Sequence, residues 1–261
     1  MRITQPLKRP DVGITFPVVK LVTLPSSLSV LVDRDRHVNV ELLDCFPSQL
    51  HDDGIYTLSQ IQVIESVVTQ PGVEISVTIP APTSSGPNGW LRNLQSNAPK
   101  PAWVHVDRPD QTERPPLWCN TLNEILLKHG RSATPPYPQR VATPPRLPPA
   151  STPQPGLTLP CQPVRSEGND TWRIVTHGGN ELVIWLTDCF SKSEANYDLA
   201  WDLMQKHRST LAVTIPRPFR HNDWIGGLTQ GSQHAGWIWL DDTTTLNQWL
   251  VDNGHADSMP F

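Results

Sequence analysis

The apolar positions of this chain fall in short alternating runs rather than in long stripes. Leu28-Ser29-Val30-Leu31-Val32-Asp33 and Val38-Asn39-Val40-Glu41-Leu42-Leu43 flank the polar Arg34-Asp35-Arg36-His37, which predicts a hairpin. A short strand over residues 18–22 precedes it. Leu58, Ile61, Ile64 and Val67 or Val68 recur at helical spacing within residues 56–68, and Gln70-Pro71-Gly72 ends that helix. Residues 73–80 and 102–107 alternate as strands. Residues 121–130 read as a short helix with a Thr or Asn cap and a closing glycine.

The same order then recurs. Val38-Asn39-Val40-Glu41-Leu42-Leu43-Asp44-Cys45-Phe46 returns as Leu182-Val183-Ile184-Trp185-Leu186-Thr187-Asp188-Cys189-Phe190, each an apolar run closing on Asp-Cys-Phe. Residues 26–45 align with 170–189 without a gap. Residues 194–206 are expected to form the inserted helix of the second copy, with Ala195, Leu199, Leu203 and Met204 available for burial. Val77-Thr78-Ile79-Pro80 is repeated as Val213-Thr214-Ile215-Pro216, residues 236–241 match 102–107, and 245–254 match 121–130. A period this long is a domain duplication rather than a solenoid repeat. Between the copies, prolines recur every few residues from Thr134 to Pro163, which reads as an extended spacer. The expected layout is a flexible leader over 1–14, a first domain over 15–131, a Pro-rich linker over 132–163 and a second domain over 164–261.

Composition narrows the classes. The net charge of -4 argues against a generic nucleic-acid binder with a broad basic face. Cys45, Cys119, Cys161 and Cys189 form no C-x-x-C pair, so a zinc ribbon is not indicated and buried thiols are the plain reading. No run approaches the roughly 20 apolar residues of a membrane span, and the first residues lack a signal-peptide core. The expectation is a soluble, cytoplasmic protein. His177 and the His221-Asn222-Asp223 cluster fit no compact metal spacing.

Short, mostly antiparallel strands with one inserted and one terminal helix suit the α+β, mainly β build of a five-stranded OB-fold barrel. The residues extend that likeness. Gly168-Asn169-Asp170-Thr171 resembles the D-G-D-T motif of the staphylococcal-nuclease (thermonuclease) family, and residues 182–191 resemble its V-R-L-x-x-I-D-x-P-E. Residues 231–240 resemble D-x-x-G-R-x-L-A-x-V. Leu246-Asn247-Gln248-Trp249-Leu250-Val251-Asp252-Asn253-Gly254 resembles L-N-x-x-L-V-x-x-G, as does Leu122-Asn123-Glu124-Ile125-Leu126-Leu127-Lys128-His129-Gly130 in the first half. The resemblance implies two nuclease-like OB barrels in tandem. It also implies a calcium site made of carboxylates, a glutamate near the attacking water and two arginines facing the phosphate.

The departures from the family pattern change the functional expectation. Asp170 and Asp188 match the two metal carboxylates, and Asp44 is the first-half equivalent of Asp188. Ser26 stands where Asp170 has its counterpart. The first arginine position holds Val183 in one half and Asn39 in the other. The glutamate position holds Ser191 and Pro47, and the second arginine position holds Gln233 and Pro99, with Lys100 one residue away. Glu194 lies three residues beyond the glutamate position. Losing even one such group costs orders of magnitude in rate. The expectation is a non-enzymatic binding or scaffold module for a protein or a nucleic acid, with Asp170 and Asp188 as a vestigial calcium site and no other cofactor. One alternative is a divergent metal-dependent nuclease using Asp170 and Asp188 with help from Arg173, Arg217 or Arg220. Another is a single-strand binder stacking bases on aromatics, for which Trp237, Trp239 and Trp103 are the candidates against a core role.

Overall fold

The computed structural model describes residues 5, 7–24, 27–31, 37–43, 46–47, 58–81, 94, 96–107, 121–128, 132–133, 155–168, 170–176, 179, 181–192, 196–216 and 233–258. The protein is mainly β with short helices. The chain divides into two units: residues 15–80 with 96–153, and residues 154–261 with 1–14 and 81–95. They are called the N-half and C-half units below.

The N-half strands are β1 (Gly13–Pro17), β2 (Lys20–Thr23), β3 (Leu28–Leu31), β4 (His37–Leu42), β5 (Phe46–Pro47), β6 (Glu74–Pro80), β7 (Lys100–Asp107) and β8 (Ser132–Ala133); α1 (Leu58–Val68) and α2 (Leu122–Lys128) are its helices. The predicted hairpin is β3–β4, with Leu28 opposite Val40 and Val30 opposite Val38, all four buried. Neighbouring strands run β1-β6-β7-β4-β3-β2, and β4 pairs with β7 in parallel. β1 and β2 are successive stretches of one path. The Val18 amide donates to the Ile75 carbonyl (2.8 Å) and the next amide, Val19, donates to Leu31 (2.7 Å), so the path passes from β6 to β3 within one residue.

The C-half strands are β9 (Gly156–Gly168), β10 (Thr171–Thr176), β11 (Glu181–Leu186), β12 (Phe190–Ser191), β13 (Ala212–Pro216), β14 (Gln233–Trp239) and β15 (Ala256–Asp257), with α3 (Asn196–Lys206) and α4 (Leu246–Asp252). Their order is β10-β11-β14-β13-β9, and β9 also pairs with β10, so the strands close on themselves. The third and fifth strands of this circuit, β11 and β14, pair in parallel. Trp172 stands opposite Ile184, as Leu28 stands opposite Val40, so the two hairpins share one register under the gapless alignment.

Two segments differ from the expected layout. β9 begins at Gly156, eight residues inside the stretch expected as linker, and pairs with β13 from Gly156 to Pro160 before crossing to β10. Prolines within the strand concealed its alternation. They are accommodated because Pro160 closes the β13 ladder and Pro163 adjoins the register shift against β10. The segment expected as a flexible leader contributes Gly13 and Ile14 to β1. Its Arg9 is tied into the C-half unit: the Arg9 amide donates to the Asp242 carbonyl (2.7 Å), and its guanidinium meets the Asp242 carboxylate (2.5 Å) and the Thr210 carbonyl (2.6 Å). In α3 the buried residues are Ala200 and Met204, whereas Leu199 and Leu203 are half-buried.

Each unit has the same polar chain inside its core. In the C-half unit the hydroxyls of Thr158 and Thr214 bond at 2.9 Å, and Trp239 Nε1 donates to Thr214 Oγ1 at 2.8 Å. In the N-half unit Thr15 and Thr78 bond at 2.9 Å, and His105 Nε2 lies 2.9 Å from Thr78 Oγ1. A buried ring nitrogen therefore has a threonine partner in both halves, as burial of a polar atom requires.

The terminal helices are held the same way. Thr245 caps α4 by accepting from the Gln248 amide (3.1 Å), and Thr121 accepts from the Glu124 amide (3.2 Å) at α2. After α4, Gly254 takes φ 75 and its amide donates to Val251 while the His255 amide donates to Leu250, a Schellman ending that favours glycine at this position. Among the described residues no helix is long and apolar enough to cross a membrane.

Candidate functional site

The motif residues of the C-half unit lie on or beside β10, β11, β12 and β14. Asp170 immediately precedes β10, and its carbonyl accepts from the Leu186 amide at 2.8 Å, which ties the start of β10 to the end of β11. The residue is buried, at 9% exposure. Asp188 follows β11 in a turn with φ 55, a left-handed conformation that Asp tolerates better than most residues. The buried Cys189 thiol is pushed up to about 12, mainly by burial and further by the Asp170 charge. A thiol held protonated beside Asp170 is a poor neighbour for a hard cation.

Val183 and Gln233, the two arginine positions, are direct partners in the parallel β11–β14 ladder. The strands therefore bring together the two positions that the sequence resemblance assigns to cations, and neither carries charge. Ser191, at the glutamate position, lies in β12 and pairs with Ala256 of β15; in the N-half unit Pro47 pairs with Ser132. In both halves the glutamate position is part of a small ladder with the segment that follows the terminal helix.

Of the cations proposed to stand in, Arg173 is described and is engaged elsewhere. Arg173 Nε meets Glu167 Oε1 at 2.5 Å, and its Nη1 meets Glu181 Oε2 at 3.1 Å. Arg165 Nε meets the same Glu167 at 2.8 Å. Hydrogen bonds from Arg173 and then Arg165 hold Glu167 below the usual carboxylate range. In the N-half unit Lys100 is buried, its ammonium donates to the Ser96 carbonyl, and burial lowers its pKa. Asn39 donates to the Asn97 carbonyl at 3.0 Å. Asp44, Ser26, Glu194, Arg217, Arg220, His177 and the His221–Asp223 cluster lie outside the described residues.

Calcium takes six to eight oxygen ligands. Among the described residues no three His, Cys, Asp or Glu side chains gather where an ion could sit.

The aromatic candidates are corrected by burial. Trp103, Trp237 and Trp239 are 5%, 1% and 0% exposed, so they are core residues and offer no face for a ligand. Among the described residues the exposed aromatics are Trp185, at 44%, and Phe190, at 38%. The outward aim of Trp185 follows from the β11 alternation, in which Leu182, Ile184 and Leu186 are buried. Trp185 stands between Thr171 on β10 and Ala235 on β14, and Val183 stands between Arg173 and Gln233. The result is a three-stranded outer face with an indole flanked by small side chains, and with paired charges along one side.

The Asn of the Leu-Asn motif has a structural task. Asn247 Nδ2 donates to the carbonyls of Thr187 (2.9 Å) and Gly236 (3.1 Å), and its Oδ1 accepts from the Ile238 amide (3.2 Å). Asn123 makes the corresponding bonds to Leu43 (2.8 Å), Ala102 (3.2 Å) and Val104 (3.2 Å). Each Asn fixes the terminal helix to the junction of the two parallel strands, directly behind the site. No family model matches the chain, and no curated protein matches it in sequence.

Proposed function

We propose that the chain is a tandem of two staphylococcal-nuclease-like OB barrels that works as a non-enzymatic binding or scaffold module. The ligand face is the outer surface of β10, β11 and β14. The strand circuit with its parallel third and fifth members supports the barrel reading. The observation that carries the functional reading is the direct pairing of Val183 with Gln233, two uncharged residues at the arginine positions. Phosphodiester cleavage without cations there lacks its main means of stabilising transition-state charge.

A protein is the favoured ligand. Trp is enriched at protein interfaces, and the arginines beside Trp185 are neutralised by Glu167 and Glu181 rather than free for phosphates. The exposed indole also supports a second reading, in which a single-stranded nucleic acid stacks on Trp185. Titration of the full chain with single-stranded DNA and RNA oligonucleotides, followed by Trp fluorescence, separates the two. The expected result is no saturable quenching at low salt. Salt-dependent quenching that disappears in Trp185→Ala would replace the protein reading with the nucleic-acid one.

A further inference from the structure

The cores of the two units differ at one matched cross-strand pair. In the β13–β14 ladder Ala212 stands opposite Trp239, and in the β6–β7 ladder Ser76 stands opposite His105. The C-half pair is closed: Trp239 has one ring N–H, and Thr214 accepts from it. The N-half pair is not. His105 is fully buried, Thr78 meets its Nε2, and its Nδ1 has no hydrogen-bond partner. The Ser76 hydroxyl across the ladder is likewise buried without a partner. Two orphaned polar atoms thus lie on directly paired residues, at the place where the other unit holds a methyl group and an indole.

We propose that the Ser76–His105 pair is a pH-sensitive element that loosens the N-half unit in mild acid, while the C-half unit, built with Ala212 and Trp239, stays closed.

Protonating His105 adds a charge and a second donor where the neutral ring already has one unmet nitrogen. Among the described residues the charge that acts on it is Asp107, two residues along β7; Glu74 stands opposite Asp107 on β6, and α2, whose cap Thr121 bridges to His105, carries Glu124 and Lys128. β1 brings only the Thr15 hydroxyl, through Thr78. Asp107 favours the imidazolium, but burial outweighs it and takes the pKa from 6.5 to about 4. The folded pKa lies below the unfolded one. The unfolded state therefore binds the extra proton between these values, and the stability from neutral His105 is complete above pH 6.5 and is lost as pH falls toward 4. Between pH 7.5 and 5 that linkage weakens the folding equilibrium of the N-half unit by about 30-fold.

The test is hydrogen exchange of the full chain at pH 7.5 and 5, corrected for intrinsic rates. It compares residues 74–80 and 100–107 with residues 212–216 and 233–239. The expected result is a loss of protection on the order of 30-fold in the N-half strands relative to the C-half strands. His105→Gln removes the titration, and Ser76→Ala with His105→Trp copies the C-half pair. Either folded variant should abolish the difference. The proposal is overturned if the two units lose protection equally, or if both variants keep the wild-type pH dependence. Should both variants misfold, titration of the His105 ring by NMR in the wild-type chain decides it. A midpoint near 6.5 overturns the proposal, and one near 4 supports it.

Discussion

Replacing Asn247 with alanine is expected to destabilise the C-half unit by about 2–4 kcal/mol, because it leaves the Ile238 amide without its acceptor and the Thr187 carbonyl without its side-chain donor, while the Gly236 carbonyl keeps the Thr187 amide. The side chain is 3% exposed, so water does not reach these groups unless the structure opens. Asn247→Asp should be nearly as damaging, since a carboxylate cannot donate to the Thr187 and Gly236 carbonyls. Asn123→Ala, at 1% exposure and with the same set of bonds, should produce a comparable loss in the N-half unit. Urea denaturation of each variant measures this as a fall in midpoint. A loss below about 1 kcal/mol would show that the neighbouring ladders hold the parallel junction without the asparagine.

Trp239→Ala is expected to cost about 3–5 kcal/mol, the range for emptying a large buried aromatic site. Trp239 is 0% exposed and also satisfies Thr214 through Nε1, so the substitution removes volume and a buried hydrogen bond together. Trp239→Phe separates the two: most of the volume stays, and the loss should fall to about 1–2 kcal/mol because Thr214 still has Thr158 as a partner. Thermal or chemical denaturation of both variants checks the order. Equal losses would mean that the indole N–H, and not the packing, is the dominant contribution.

Much of the frame was readable in the alternation of apolar residues. The Asp-Cys-Phe runs end hairpins whose registers match, Leu28 against Val40 and Trp172 against Ile184, because period-two burial leaves one register that keeps every apolar side chain inside. The first strand of the C-half unit was hidden by Pro160 and Pro163, which interrupt a pattern without interrupting the strand. A signal was present in Gly13-Ile14-Thr15-Phe16-Pro17 and Gly156-Leu157-Thr158-Leu159-Pro160, since both copies build the paired threonines.

At the site, alternation along β11 was enough to turn Trp185 outward, yet the more conspicuous Trp237 and Trp239 drew the functional reading. The terminal helix α4 packs against β14, and the consecutive residues Gly236 to Trp239 at its end are all buried, so no exposed face exists there. The task of Asn247 was not legible. Its three partners lie on β14 and the segment after β11, and only tertiary structure brings them within reach.

On the function proposed, a nuclease-like frame has kept its strands and lost its catalytic groups. The most direct test is incubation of the full chain with plasmid and single-stranded DNA in millimolar calcium. The expected result is no cleavage above buffer, unchanged in Asp170→Ala and Asp188→Ala. Calcium-dependent cleavage that either substitution abolishes would contradict it.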